Sequence, residues 1–184
     1  DANGNELITA ADAACINLLM RGDVCAPLRS PSAGAKPELN ISVVAGEDVI
    51  WLQSRVDHHS ETLAGVSYRL ELDLNEFDTS LLDLDKDGVV DEQNLRFPQG
   101  RPGVVTIRWT KAADKGLLDV LLLDIAQNQL PEGLIFEIGI PTAQVPSGGL
   151  VISQERAPVF ASTEGIDVEG VHSLGNEVFQ SSFE

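Results

Sequence analysis

The chain has 184 residues, and its 29 Asp and Glu residues outnumber 12 Lys and Arg residues to give a formal net charge of −17. This length suffices for one domain with a sizeable core. The charge repels nucleic-acid phosphates and anionic membrane surfaces, which excludes both as partners. A mean hydropathy of +0.02 is too apolar for a disordered acidic chain. No apolar run approaches the ~18 residues of a membrane span, so the composition predicts an acidic globular protein that uses its carboxylates.

The cysteine content indicates an oxidising compartment. The only two cysteines, Cys15 and Cys25, are close in sequence and flank a short apolar segment, so a disulfide between them would close a small loop. Two free thiols are the alternative, but no CxxC pair or histidine cluster points to a metal site that would need them. The chain begins at Asp1 without an initiator Met, which favours a removed leader. We therefore expect an exported protein, secreted or at the cell surface.

Residues 10–20 predict a helix, because the segment is rich in helix formers and Gly22 follows as a stop. Its expected buried face carries four apolar residues, Cys15, Ile16, Leu19 and Met20. Residues 26–38 are rich in Pro, Ser and Gly and predict a linker.

From Leu39 onward the apolar period changes to two, which is typical of strands. Six runs predict strands: Leu39–Ala45, Val49–Val56, Gly65–Leu74, Val104–Thr110, Leu117–Ile125 and Leu134–Ile140. Weaker candidates are Leu150–Ser153, Val159–Ala161 and Glu177–Phe179. The nearly continuous apolar run from Leu117 predicts a central strand covered on both faces. Many strands with one short N-terminal helix predict a mostly β fold, an antiparallel two-sheet β-sandwich.

The most specific chemistry lies in residues 83–94, where aspartates alternate with other residues. Oxygen ligands for a cation are offered by Asp83, Asp85, Asp87, the carbonyl of Val89, and Asp91, directly or through water. Gly88 permits the left-handed backbone of a tight turn. Because crowded anions repel each other without a cation, this spacing predicts a calcium site.

Position 12 of this loop departs from the EF-hand pattern. Asn94 stands where a bidentate Glu is usual. Either calcium therefore binds weakly, or Glu92 takes the place of the missing Glu as a ligand. The alternative interpretation of the segment is a solvated acidic turn.

A second calcium loop is predicted at the start of the chain. Its ligands would be Asp1, Asn3, Asn5, the carbonyl of Leu7, and Asp12. Glu6 replaces the expected Gly, and the alternative is an ordinary Asn/Gly turn.

Two family resemblances follow from these motifs. Residues 1–22 resemble one half of a dockerin repeat, a calcium loop of the DxNxDGxIxxxD type that leads into a helix; the match rests on Asp1, Asn3, Asn5, Ile8 and Asp12. Residues 39–140 resemble a cohesin or a related bacterial carbohydrate-binding β-sandwich of jelly-roll type. That match rests on the Val44–Glu47 turn, the Ala64–Leu74 strand with the following Phe77–Leu82, the strand through Trp109, and Pro131–Ile138.

The resemblances imply a division of the chain into modules. Residues 1–25 would be a dockerin-like calcium loop and helix, and residues 26–38 a linker. Residues 39–161 would be a cohesin-like sandwich with the calcium loop 83–94 as an insertion, followed by a tail over residues 162–184.

No catalytic arrangement emerges from the sequence. There is no GxSxG motif, Gly-rich phosphate loop or group of zinc ligands, so we expect a protein that is not an enzyme. Trp51 and Trp109 are candidate platforms for a sugar ring, although both lie within predicted strands, where core packing is the stronger interpretation.

The sequence as a whole predicts an exported, non-catalytic, calcium-binding module of cohesin-like type that recognises another protein. The resemblance implies that this partner carries a dockerin-like segment. The main alternative is a carbohydrate-binding module with a polysaccharide ligand. Two further alternatives are an N-terminal helix that caps the chain's own sandwich, and a hydrolase.

Overall fold

The computed structural model describes residues 10–24, 36–59, 61–124, 129–141, 149–154 and 156–175. Helix α1 spans Ala10–Met20, as predicted, and Gly22 follows it with a φ of 84°. The strands are β1 (Glu38–Ala45), β2 (Val49–Asp57), β3 (Leu63–Asp73), β4 (Leu95–Arg96), β5 (Val104–Ala112), β6 (Lys115–Leu123), β7 (Gly133–Pro141), β8 (Leu150–Ile152), β9 (Val159–Ser162), β10 (Asp167–Val168) and β11 (Val171–Gly175).

The strands form two sheets, which confirms the predicted mostly β, two-sheet fold. Sheet A has the order β11-β1-β2-β7-β4, and sheet B has the order β10-β9-β3-β6-β5 with β8 also paired to β3. The pairing is antiparallel throughout except that β11 runs parallel to β1, with Glu38 opposite Val171. The last described strand thus closes one edge of sheet A against the first.

Three short strands were not predicted. β4 and β10 have two residues each, too short for alternation to show, and β11 contains Gly175 and a histidine. The sequence assignment of residues 162–175 to a tail is therefore wrong, because β10 and β11 belong to the sheets. The weak candidate Glu177–Phe179 lies outside the described residues.

The main core fills the space between the sheets and is formed by alternate residues of each strand. Leu39 and Ile41 come from β1, and Leu70 and Leu72 from β3. Trp109 also belongs to this core, since only 6% of its surface is exposed. The alternation that predicted half-buried strands is therefore the alternation that builds the core.

Helix α1 packs on the outer face of sheet B, against β3, β6 and β9. Ala10, Ala11 and Ala14 form a second apolar cluster with Leu123 and Ala161. As predicted, β6 is a central strand, but the prediction that both of its faces are covered holds only in part. Helix α1 covers the outer face at Leu123, whereas Leu117, Asp119 and Leu121 on that face are half-buried.

The predicted buried face of the helix is wrong in part. Cys15 is buried, but Ile16, Leu19 and Met20 are exposed by 48%, 54% and 82%. Small side chains allow the helix to approach the sheet closely, and Gly65 of β3 shows how closely: a Cβ there would lie 3.2 Å from Ala10 Cβ. The helix therefore packs through the face whose small side chains let the two backbones come close, and not through the face with the largest apolar side chains.

Within the described residues, no helix is both long and apolar enough to cross a membrane.

Candidate metal centre and neighbouring surfaces

The predicted calcium loop, residues 83–94, connects the two sheets at one edge of the sandwich. It makes a β-bridge from Val89 to Arg108 of β5, the edge strand of sheet B. It then passes through a 3-10 turn, Glu92–Asn94, into β4, the edge strand of sheet A. The loop is anchored on the inside by Leu82 and Val90, both buried in the core.

The bridge leaves the carbonyl of Val89 available. The flanking hydrogen bonds run from Val90 N–H to the carbonyl of Ile107 and from Trp109 N–H to the carbonyl of Gly88, each 2.9 Å. Val89 is therefore a non-hydrogen-bonded position of the bridge, and its own carbonyl points away from β5. This is one of the oxygens that the sequence predicted as a ligand.

The structure brings together three of the predicted ligands. One carboxylate oxygen from each of Asp83, Asp85 and Asp87 lies within 4.8 Å of the other two. Lys86 and Gly88 have φ angles of 62° and 80°, and these left-handed residues produce the tight turn that gathers the carboxylates. Two of the three aspartates are exposed and Asp83 is half-buried.

Backbone N–H groups hold these carboxylates in position. Asp83 accepts hydrogen bonds from Asp87 N–H and Gly88 N–H, both at 3.1 Å. Asp85 accepts one from Asp87 N–H at 3.2 Å, and Asp87 accepts one from Val89 N–H at 2.7 Å. The side-chain positions are thus set by the turn itself, before any cation binds.

The remaining predicted ligands of the loop have other contacts. Asp91 accepts a hydrogen bond from Leu84 N–H at 2.9 Å, across the mouth of the loop. Asn94 is buried, and its side-chain amide donates to the carbonyl of Leu81 at 2.7 Å. Glu92 forms an ion pair with Arg101, a residue that the sequence did not single out.

The environment of the cluster shifts the pKa of one of its members, Asp85. A hydrogen bond from Asp87 N–H lowers the pKa of the Asp85 carboxyl, but desolvation and the negative charge of Asp87 outweigh it, so the pKa of Asp85 is raised above its ordinary value of 3.8. A raised carboxyl pKa is the expected mark of anions held together without a counter-charge.

The donor set fits calcium. Ca²⁺ takes six to eight oxygen ligands from carboxylates, carbonyls and water. Asp83, Asp85 and Asp87 with the carbonyl of Val89 would supply the protein oxygens, and the exposure of the loop leaves room for water. Within the described residues, these three aspartates are the one group of three or more His, Cys, Asp or Glu side chains with such spacing.

The second predicted loop falls mostly outside the described residues, which exclude Asp1, Asn3, Asn5 and Leu7. Its last ligand, Asp12, is buried on helix α1 with 2% exposure. Calcium at this loop stays a prediction.

The structure describes only one of the two cysteines of the predicted disulfide. Cys15 is buried, and Gly165 of the β9–β10 turn packs against it, since a Cβ at Gly165 would lie 2.9 Å from Cys15 Cα. Cys25 lies outside the described residues, so the bridge between the two cysteines remains a prediction.

Neither tryptophan presents an open ring face. Trp109 is buried in the core. The Trp51 ring is on the outer face of sheet A, with the Arg96 guanidinium 3.7 Å from its centroid. On β7, a Cβ at Gly139 would lie 2.9 Å from the same ring. A sugar could stack on Trp51 only if Arg96 moved away.

The part of the outer face of sheet B that helix α1 leaves open carries a cluster of arginines. Arg69 of β3 binds Asp119 of β6 through two hydrogen bonds of 2.7 Å each. Arg108 of β5 stands opposite Asp119 on the other side, and Arg156 also reaches it at 3.5 Å. We call these four residues the arginine row. It gathers three of the 12 basic residues of a chain with net charge −17 around a single carboxylate.

The arginine row was not predicted from the sequence. Arg69 and Arg108 each occupy a polar position of an alternating strand, and this alternation indicates that each side chain faces outward from its sheet. Only the register of β3, β6 and β5 shows that both flank Asp119.

Comparison with known proteins gives matches among solved structures alone, since no family model and no curated protein matches the chain. A structure of the sixth cohesin of scaffoldin B from Acetivibrio cellulolyticus, with a Cel5 dockerin mutant, is 15% identical with a TM-score of 0.47, over 76% of this chain and 99% of that chain. The OlpA cohesin–dockerin complex from Clostridium thermocellum is 15% identical with a TM-score of 0.49, over 74% of this chain and 94% of that chain. The second type II cohesin of ScaA from Acetivibrio cellulolyticus is 10% identical with a TM-score of 0.48, over 77% of this chain and 94% of that chain.

Proposed function

We propose that this chain is an exported, non-catalytic β-sandwich module of cohesin-like type that binds calcium in the loop 83–94 and recognises another protein. The observation that carries the calcium part is the gathering of Asp83, Asp85 and Asp87 within 4.8 Å. Three carboxylates held this closely repel one another, and a divalent cation removes that repulsion.

Calcium would act structurally in this place. The loop joins the edge strands of the two sheets, through the Val89–Arg108 bridge on one side and β4 on the other. A cation held by Asp83, Asp85, Asp87 and the Val89 carbonyl would fix the turn between these anchors. Its role would be to stabilise one edge of the sandwich rather than to take part in a reaction.

Calorimetric titration with Ca²⁺ tests the site. The wild-type chain should bind at the loop, and Asp85→Ala should lose that binding, because it removes one of the three clustered carboxylates. Asp48→Ala is the matched control, since Asp48 is an exposed aspartate of the β1–β2 turn. A stoichiometry near two supports the N-terminal loop as well, whereas a stoichiometry near one that Asp85→Ala abolishes leaves that loop as a turn. Binding that survives Asp85→Ala unchanged would contradict the proposed site.

The arginine row supports the protein-recognition part of the proposal. Asp119 can neutralise one of the three arginines that surround it, and Glu71, the neighbouring carboxylate on this face, is paired with Lys115. The arginine row therefore presents net positive charge on a strongly acidic chain. Such a patch attracts an acidic partner surface and fixes its orientation. The family resemblance of the sequence suggests a dockerin-like segment as the partner.

Binding to a panel of purified dockerin modules, measured by calorimetry in saturating calcium, tests this part. Arg108→Glu should weaken binding at least tenfold, because it reverses an exposed charge of the arginine row. Arg55→Glu makes the same change at an exposed arginine of β2 on sheet A, and it should have little effect. Absence of binding to every module, or equal losses in both variants, would contradict recognition through this face.

A further inference from the structure

A cavity of about 230 Å³ opens between the edges of the two sheets, beside the calcium loop. We call it the seam cavity. Its apolar walls come from Leu95 of β4, Val105 and Ile107 of β5, and Val89 of the loop. The cavity therefore touches both sheets and the connection between them.

The seam cavity exists because the sandwich is incompletely closed at this edge. β4 provides only two residues to the edge of sheet A. Leu95 and Val105 point toward the core but are only partly buried, unlike the neighbouring Ile107. Val89, on the rim, is 40% exposed. These apolar side chains therefore keep some contact with solvent at the opening, beside the carboxylates of the loop.

The backbone of β5 is also open beside the cavity. The loop pairs with β5 through one bridge, and its last hydrogen bond there runs from Val90 N–H to the carbonyl of Ile107. Beyond that point, along Val104–Ile107, no strand of the described chain pairs with this edge of β5. An edge strand with free N–H and carbonyl groups can accept an added strand.

Size and charge indicate the occupant. Pockets for small molecules usually have about 300–1,000 Å³, so a cavity of about 230 Å³ suits one large apolar side chain. Asp87, Asp91 and Glu92 line it, with Arg101 as the single cation, and Arg101 is already paired with Glu92. The mouth is therefore negative and complements a basic segment.

We propose that the seam cavity binds an extended, basic segment of a partner protein, which adds a strand to the edge of β5 and places one large apolar side chain between the sheets. This site adjoins the arginine row, since Val89 on its rim pairs with Arg108, but the arginine row favours an acidic partner and the seam cavity a basic one. The inference rests on the proposed calcium site in one respect: Asp87 would serve both as a calcium ligand and as a negative group of the mouth, so calcium should weaken binding of the basic segment by neutralising this charge.

Titration of the isotopically labelled full chain with short peptides, followed by amide NMR shifts, tests the inference. The probe is the peptide Thr-Lys-Thr-Phe-Thr-Lys-Thr, which in extended form places Phe and both Lys side chains on one face. Two matched peptides replace both Lys by Glu, or Phe by Ala. We expect the basic Phe peptide to shift the amides of Leu95, Val105 and Ile107, and each matched peptide to bind at least tenfold more weakly.

Variants of the chain separate the seam cavity from other apolar surface. Val89→Arg changes the rim while it leaves the backbone carbonyl in place, and it should weaken binding of the basic Phe peptide at least tenfold. Val151→Arg changes another exposed valine, on β8 at 52% exposure, and should leave the affinity unchanged. The amide spectrum of each variant shows directly whether it is folded.

The titrations are run with calcium and with EDTA. Shifts at the seam cavity that are larger in EDTA than in calcium support both the site and its link to the loop. Shifts of equal size in both conditions, or larger shifts in calcium, support the site and overturn the link. Absence of shifts at these amides in both conditions, or shifts confined to the arginine row, overturns the site even where calorimetry shows that calcium binds the loop.

Discussion

The hydroxyl groups of Ser54 and Tyr68 lie 2.6 Å apart in the core and form a hydrogen bond between the two sheets. Ser54 belongs to β2 of sheet A and Tyr68 to β3 of sheet B, and both are at least 97% buried. Desolvation raises the pKa of the Tyr68 hydroxyl strongly, so the phenol is neutral at physiological pH. A polar pair thus fixes how the two apolar faces meet.

Removal of one partner should cost more than removal of both. Tyr68→Phe or Ser54→Ala leaves a buried hydroxyl without its partner, which costs about 1–3 kcal/mol. The double variant replaces both groups by apolar ones and should be less destabilised than the sum of the two single variants. Urea unfolding at pH 7 measures the three free energies, and strict additivity would contradict the coupling.

His58 should make the fold less stable in mild acid. It is buried directly after β2 with 4% exposure, and its Nε2 has no hydrogen-bond partner among the residues that the structure describes. Desolvation lowers the pKa of His58, and the negative charges of Glu132 and Asp57 offset this only in part. The unfolded state therefore binds a proton more readily below about pH 6.5, and stability falls as the pH drops below that value.

The adjacent histidine provides the control for this prediction. Urea unfolding between pH 7.5 and 5.5 should show a decline for the wild type, with a slope of at most about 1.4 kcal/mol per pH unit for this one proton. His58→Asn should flatten the decline. His59→Asn should preserve it, because His59 is exposed, and Asn tolerates its φ of 52°. A pH dependence that follows His59 instead would contradict the role of burial.

Calcium should raise the thermal stability of the chain. A ligand that binds the folded state alone stabilises it by about 2.7 kcal/mol at a concentration of 100 times its Kd. We expect EDTA to lower the Tm of the wild type and of Asp48→Ala, and to leave the Tm of Asp85→Ala unchanged. Differential scanning calorimetry makes the comparison, and a Tm that does not respond to calcium in the wild type would contradict a structural role.

Acid should weaken calcium binding at the loop. The pKa of Asp85 is raised above 3.8, so its carboxyl takes up a proton at a higher pH than an isolated aspartate. A protonated carboxyl is a poor calcium ligand, so the affinity should fall as the pH is lowered from 7 toward 4. Calorimetric titration at several pH values should show calcium-linked proton release that grows over this range. An affinity independent of pH would contradict carboxylate ligation.

Gly65 should be essential for the position of helix α1. A Cβ at Gly65 would lie 2.7 Å from the Leu122 carbonyl and 3.2 Å from Ala10 Cβ. Gly65→Ala should therefore cost about 1–3 kcal/mol through overpacking and raise the rate at which protease releases helix α1 from the sandwich. Gly175→Ala is the control, because its nearest contact would be an ordinary 3.5 Å. Equal Tm values and equal proteolysis rates in the two variants would contradict close packing of the helix.

Local patterns in the sequence determined most of the secondary structure. Helix Ala10–Met20 and the eight stronger and weaker strand segments that lie in the described residues follow from apolar period and turn residues. The spacing of Asp83, Asp85 and Asp87 likewise determined that their carboxylates meet, because ligands two residues apart in a tight turn are neighbours whatever the rest of the fold does.

Tertiary structure decided everything that depends on a distant partner. The helix buries its alanines rather than Ile16 and Leu19 because Gly65 and Ala161 offer a close backbone surface. The arginine row depends on the register of three strands, and the seam cavity on where two edge strands fail to meet. Periodicity specifies which face of an element is apolar, but only long-range packing specifies what that face meets, because many distant surfaces satisfy the same local pattern.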